Sequence, residues 1–191
     1  MRTLSENFRL FVCAALAMSL VACSGSSSSQ KLSCADAVAP AVRSCVDDFS
    51  AATASCYETD DAACADEDPV LTDPLATLRQ TVEASCADGE FLELSTEAVV
   101  GRAQNACESE ASSIAWRTYG GPQGAVWPEA SAEQKVCLST AHRAATDLVD
   151  ASLGLINECL AADGCVASEV DGARAELEAN AVADVAAVCE D

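Results

Sequence analysis

The chain has 191 residues and is strongly acidic, with 31 aspartate and glutamate residues against 10 lysine and arginine residues and a formal net charge of −21 at pH 7. A surface of this charge repels nucleic acid and anionic lipid head groups, so we expect neither as a ligand. The sequence contains one histidine and no GxSxG, GxGxxG or HExxH motif. We therefore expect a protein that is not an enzyme and binds no cofactor.

The first segment of the chain has the pattern of an exported protein. Arg2 and Arg9 form a basic start, and an apolar run follows over residues 10–22. As a helix, this run would rise only about 20 Å, which is short for a bilayer. Residues 1–22 are therefore predicted to be a signal peptide that is not part of the fold.

The apolar run ends in Leu-Val-Ala-Cys, and Cys23 is followed by a serine-rich stretch. This pattern resembles the lipobox of bacterial lipoproteins. The resemblance implies cleavage before Cys23, a diacylglycerol on its thiol and further acylation, with palmitate among the chains, so that the protein is anchored to a membrane. Ser24 after the cysteine resembles the residue that permits sorting to the outer membrane. The alternative is an ordinary secretory signal in which Cys23 is incidental.

Residues 23–31 are predicted to be a flexible tether. Its Ser/Gly-rich part spans only about 15 Å as a coil, so the folded part is expected close to the membrane surface.

Cysteine is the most informative residue of the remaining chain. Of the twelve cysteines, Cys13 leaves with the signal peptide and Cys23 carries lipid, so an even number remains in an exported protein. Such a set predicts a disulfide framework. A zinc site is the alternative, but no CxxC or CxxxC pair occurs to supply closely spaced ligands.

An internal repeat predicts how these cysteines pair. Cys34 and Cys56 are as far apart as Cys137 and Cys159, and each pair is followed by a short interval and a second long one. Equal arms around a short turn are typical of an antiparallel helical hairpin. The geometry predicts one disulfide at the base and one at the tip of each hairpin, and Cys45–Cys107 follows by elimination. The predicted pairs are Cys34–Cys86, Cys56–Cys64, Cys137–Cys189, Cys159–Cys165 and Cys45–Cys107.

Helical spacing of apolar residues supports these arms. In the first arm, Ser33 and Asp36 form a candidate capping box, whereas Pro40 predicts a kink or a late start. The second arm is predicted to begin with Asp73 as cap and Pro74 in the first helical position.

Three further helices are predicted in the rest of the chain. The third covers residues 96–118, and Gly120 with the glycine and proline that follow it is the predicted stop signal. The fourth starts near Ala132, with Ser131 and Gln134 as a capping box, and the fifth starts after Ser168 with Asp171 as its box partner.

No segment alternates like a strand, so the predicted fold is all-α, with two disulfide-stapled antiparallel helical hairpins plus one connecting helix. Residues 32–118 form the first hairpin with the third helix, residues 119–131 a Gly/Pro/aromatic linker, and residues 132–191 the second hairpin.

Residues 116–128, WRTYGGPQGAVWP, hold both tryptophans of the chain. One interpretation is a turn whose aromatic side chains plug an alanine-rich core. The other is an exposed platform for an envelope protein or glycan. The candidate binding residues are Trp116, Arg117, Tyr119, Gln123 and Trp127.

The function expected from the sequence is a non-catalytic binding or structural role in a bacterial envelope, at the outer membrane. One alternative is an envelope hydrolase that uses carboxylates such as Asp47 and Asp48. A second is a weak divalent-cation binder that uses the acidic stretch 58–73, although no EF-hand pattern is present. His142 lies inside the fourth helix, where we expect a surface or packing role.

Overall fold

A computed structural model describes residues 33–65, 67–120, 126–162 and 165–189. These residues form five helices and no strand, which confirms the all-α prediction: α1 (Cys34–Asp60), α2 (Pro69–Ser85), α3 (Thr96–Tyr119), α4 (Ala132–Ala161) and α5 (Ala167–Ala186). Among the helices of this described part, none has both the length and the hydropathy needed to cross a membrane. The predicted signal peptide, tether and lipidated Cys23 lie outside the described residues.

Most helices begin close to the residue that the sequence predicts, and side-chain caps define these starts. The hydroxyl of Ser131 accepts the backbone N–H of Gln134, whose side chain in turn accepts the N–H of Ser131, so α4 begins with a complete capping box. The hydroxyl of Ser33 accepts the N–H of Asp36 and donates to the Asp36 carboxylate, so the cap is formed without the backbone bond that would complete the predicted box, and α1 begins at Cys34. The predicted late start of this helix is wrong, because α1 continues through the exposed Pro40.

Two predicted helix starts need correction. The second helix begins at Pro69 with Asp68 as its cap, and Pro74 lies inside it. Two Asp-Pro pairs compete for this role, and the first satisfies the free N–H groups of the first turn. The fifth helix begins at Ala167 after Val166, without a side-chain cap, so Ser168 and Asp171 do not form the predicted box.

Five disulfides connect the helices, and they are the pairs that the spacing predicts. They join Cys34 to Cys86, Cys45 to Cys107, Cys56 to Cys64, Cys137 to Cys189 and Cys159 to Cys165. Each hairpin is therefore closed at its base and at its tip, and one further bond ties α3 to α1. The base disulfides of the two hairpins have the same sequence separation of 52 residues.

The main core lies in the first three helices and is built from small side chains. Phe49 and Leu78 are its only buried members larger than valine among the described residues. The disulfides Cys34–Cys86 and Cys45–Cys107 are buried within this core. Because valine and alanine bury little apolar area each, the covalent bonds supply stability that the packing lacks.

The second hairpin has no equivalent core. No residue of α5, which the structure describes throughout, is buried. Aligning Cys34 with Cys137 and Cys86 with Cys189 places polar or charged residues where the first hairpin packs against α3. The replacements are Ser152 for Phe49, Arg174 for Leu71 and Glu178 for Leu75. These three positions of the second hairpin are therefore suited to contact with water.

This difference predicts unequal dependence on the two base disulfides. Replacement of Cys137 and Cys189 by alanine should expose the backbone amides of α5 to hydrogen exchange, because little apolar burial holds that helix. The matched variant, Cys34→Ala with Cys86→Ala, should reduce the free energy of unfolding by about 2–5 kcal/mol while α2 keeps its protection through Leu78 and Val82. Equal loss of protection in α2 and α5 would contradict this account.

Candidate functional site

The two hairpins meet where α1 and α3 contact α4, a contact that we call the junction. The aromatic residues of the stretch 116–128 separate into two groups. Tyr119 and Trp127 are buried in a second core cluster with Tyr57. The platform interpretation is therefore wrong for Tyr119 and Trp127, because both rings are needed to fill the junction. The plug interpretation is wrong for Trp116, whose side chain is 54% exposed.

Tyr119 is the centre of the junction. Its ring stacks on Tyr57 with 4.9 Å between centroids and on His142 with 5.1 Å, and it meets Trp127 edge to face at 5.4 Å. Such aromatic pairs add about 0.5–1.5 kcal/mol each beyond their buried area. Lys135 lies over the outer ring, with its Nζ 5.0 Å from the Trp127 centroid. The packing role expected for His142 is the one observed, since this side chain is buried.

A carboxylate completes the junction on its polar side. Glu58 of α1 accepts hydrogen bonds from the hydroxyls of Tyr119 (3.3 Å) and Ser139 (2.6 Å), so one carboxylate oxygen connects α1, α3 and α4. Burial, followed by the neighbouring Glu58, raises the pKa of Tyr119 far above its usual range. Burial lowers the pKa of His142, and Glu58 opposes this effect. His142 Nε2 and Trp127 Nε1 are buried without a hydrogen-bond partner in the described part of the chain.

An ion pair holds the opposite end of the same interface. Arg43 of α1 donates from Nε (2.7 Å) and Nη2 (2.8 Å) to the two carboxylate oxygens of Asp150 on α4. The hydrogen bond from Arg43 lowers the pKa of Asp150. Gly154 gives the guanidinium room, because a Cβ there would lie only 3.2 Å from Arg43 Nη1. A second, more exposed pair joins Lys135 to Asp61.

Trp116 lines a groove of about 770 Å³ on the first three helices, which we call the Trp116 groove. Its apolar side combines this indole with Phe49, Leu71 and Leu75 from α1 and α2. Its polar side is a stripe of α3 that the sequence analysis missed, formed by Asn105, Ser109, Ser112 and Ser113. Helical spacing of Asn105, Ser109, Ser112 and Trp116 is a signal that could have identified the stripe.

The other predicted binding residues do not reinforce this groove. Arg117 is exposed on α3 but does not line the groove. Gln123 lies outside the described residues. Of the four candidates that the structure describes, only Trp116 lines the groove.

The acids proposed for hydrolysis do not converge as a pair. Asp47 lines a different cavity, between α1 and α4, together with Glu58 and Asp147. Burial and then repulsion from Asp150 raise the pKa of Asp47. Asp48 is exposed, accepts a bond from Ser44 and does not line that cavity, because adjacent helical residues point in different directions.

The acidic stretch 58–73 uses several of its carboxylates within the protein. Glu58 binds two hydroxyls, Asp61 pairs with Lys135 and Asp68 caps α2. Within the described residues, no three or more His, Cys, Asp or Glu side chains are grouped in a way that could hold a metal ion.

Comparison with known proteins gives no relative from which a role could be transferred, since no protein-family model, curated protein or solved structure matches this chain.

The buried His142 predicts a pH-dependent contribution to stability. Its pKa lies below the ordinary value of 6.5 in the folded protein. As the pH falls below 6.5, the unfolded chain takes up this proton more readily, so the free energy of unfolding decreases until the folded pKa is passed. Above that range both states are neutral and the contribution is complete.

Denaturant unfolding of the wild type and of His142→Phe, measured between about pH 8 and about pH 5, checks this linkage. Phenylalanine retains a ring against Tyr119 but does not titrate. The difference between the two proteins isolates His142, because Asp47, Glu58, Arg143 and Asp147 around the same cavity are common to both. Identical pH dependence would contradict the assignment.

Proposed function

We propose that this protein is a lipid-anchored, non-catalytic binding protein of a bacterial envelope, held at the outer membrane through Cys23. The observation that supports a binding role is the Trp116 groove. Tryptophan is a large apolar side chain that is usually buried on folding, whereas Trp116 is 54% exposed at the edge of a concave surface. Surfaces of this kind commonly serve recognition.

Rigidity is a second support for binding. Cys45–Cys107 joins two of the three helices that line the groove, and Cys64, bonded to Cys56, lies in its lining. Walls fixed before binding reduce the entropy lost when a ligand is ordered, which favours affinity. An anchored protein in an oxidising envelope can keep such bonds.

The chemistry of the groove favours binding over catalysis. Glu108 is the only carboxylate among its described lining residues. No histidine or free thiol accompanies it there, since the cysteine of the lining is oxidised. Acid–base and nucleophilic mechanisms need at least a second positioned group, so recognition is the role that the residues support best.

One cellular experiment tests both the anchor and the binding surface. The full-length chain carries Trp116→benzoylphenylalanine, which forms covalent adducts with whatever contacts that position on illumination. The matched control is Val182→benzoylphenylalanine on α5, where the side chain is similarly exposed. We expect adducts at position 116 and none at position 182, with the protein labelled by palmitate and recovered with outer membranes.

The variant Cys23→Ala should lose the palmitate label, leave the membrane fraction and lose the adducts at position 116, since the loss of the acyl chains removes the anchor. Retention of label and membrane association without Cys23 would overturn the anchor. Equal adducts at positions 116 and 182, or none at either, would overturn the binding surface.

A further inference from the structure

We infer that the ligand of the Trp116 groove is a neutral saccharide chain. This inference rests on the proposed binding function and adds the chemical class of its ligand. It follows from three properties of the groove. These are an exposed indole beside apolar side chains, a stripe of hydroxyl and amide groups that bond to no other described side chain or backbone group, and the absence of cationic residues from the described lining.

The indole and the apolar side match one face of a sugar ring. Trp116 is the one groove residue with a large aromatic surface still open to solvent. The half-buried Leu71 and Leu75 extend the apolar surface along α2, and the buried Phe49 of α1 also belongs to the lining. A pyranose presents a face of C–H groups, which packs against an aromatic plane and removes apolar surface from water.

The stripe on α3 matches the hydroxyl groups that edge the same ring. Asn105, Ser109 and Ser112 follow one another at helical spacing toward Trp116, and Ser113 lies beside them. None of these four side chains is engaged in a hydrogen bond with another described residue, in contrast to Thr118 on the same helix, which bonds to the Ile114 carbonyl. Hydroxyl and amide groups can both donate and accept, as the ligand hydroxyls can.

The charge of the groove and of the whole chain argues against anionic ligands. The described lining contains Glu108 and no lysine or arginine, and the chain as a whole has a net charge of −21. Phosphate, carboxylate and nucleic acid ligands would meet repulsion without a cation to neutralise them. A single carboxylate beside several hydroxyls is a common arrangement for hydrogen bonds to neutral groups. A hydroxyl-rich, uncharged ligand with an apolar face remains.

The test uses the lipidated full-length protein in a polyoxyethylene detergent, because sugar-based detergents would compete for the site. Isothermal titration calorimetry is carried out with N,N′,N″-triacetylchitotriose and maltotriose as neutral trisaccharides, and with trigalacturonic acid as the anionic counterpart. We expect heat with at least one neutral trisaccharide and none with the anionic one. Wild-type tryptophan emission should shift to the blue as the ligand covers Trp116, while the buried Trp127 contributes an unchanged signal.

Two variants and two matched controls locate the site. Trp116→Ala and the double variant Ser109→Ala, Ser112→Ala should each raise the dissociation constant at least about tenfold, since stacking and hydrogen bonding are lost separately. Val182→Ala and Ser168→Ala, at exposed positions of α5, should leave it unchanged. Unfolding curves of all four variants verify that the fold is retained.

Each other result overturns a defined part of the inference. Binding that is indifferent to Trp116→Ala and to the serine double variant would overturn the site. Equal binding of trigalacturonic acid would overturn the charge argument. No heat with either neutral trisaccharide would overturn the saccharide class, and if adducts at position 116 were still obtained in cells, the proposed binding function would stand without it.

Discussion

Disulfide bonds between helices that bury mainly valine and alanine are the constraint on which the rest of this structure depends. The first core contains two cystines, Cys34–Cys86 and Cys45–Cys107, among small apolar side chains. Such side chains allow close helix approach but contribute little apolar area each, so cross-links that restrict the unfolded chain carry a large share of the stability. Cys45–Cys107 also joins two of the helices that line the Trp116 groove.

The two hairpins have the same arrangement of base and tip disulfides but contact different parts of the protein. In the first, α3 covers the hairpin and supplies the polar stripe of the groove. In the second, Ser152, Arg174 and Glu178 stand where the first has apolar residues, so its outer face is compatible with water. The junction between them is held by Tyr119 at one end and by the Arg43–Asp150 pair at the other. The repeated covalent arrangement therefore occurs in two different surroundings, one covered by α3 and one not.

Much of the fold could be predicted from the sequence, because cysteine spacing and helical periodicity are local or repeated signals. The disulfide pairs and the α4 capping box belong to this class. The α2 start was misplaced because two Asp-Pro pairs give the same local signal. The contacts of the junction could not be predicted, because Glu58 and Ser139 are 81 residues apart in the sequence. Helical periodicity identifies neighbours along one helix and gives no information on contacts between distant helices. The burial of Trp127 likewise depends on its contact with Tyr119, whereas the helical spacing of Trp116 with Asn105, Ser109 and Ser112 is a local signal.

The pairing of the cysteines determines the architecture of both hairpins. Proteolysis of the purified native protein without reduction, followed by mass spectrometry of the linked peptides, measures this pairing. We expect peptides that link Cys34 to Cys86 and Cys137 to Cys189, which close the bases of the two hairpins. Peptides that link Cys34 to Cys56, or free thiols at these four positions, would contradict this architecture.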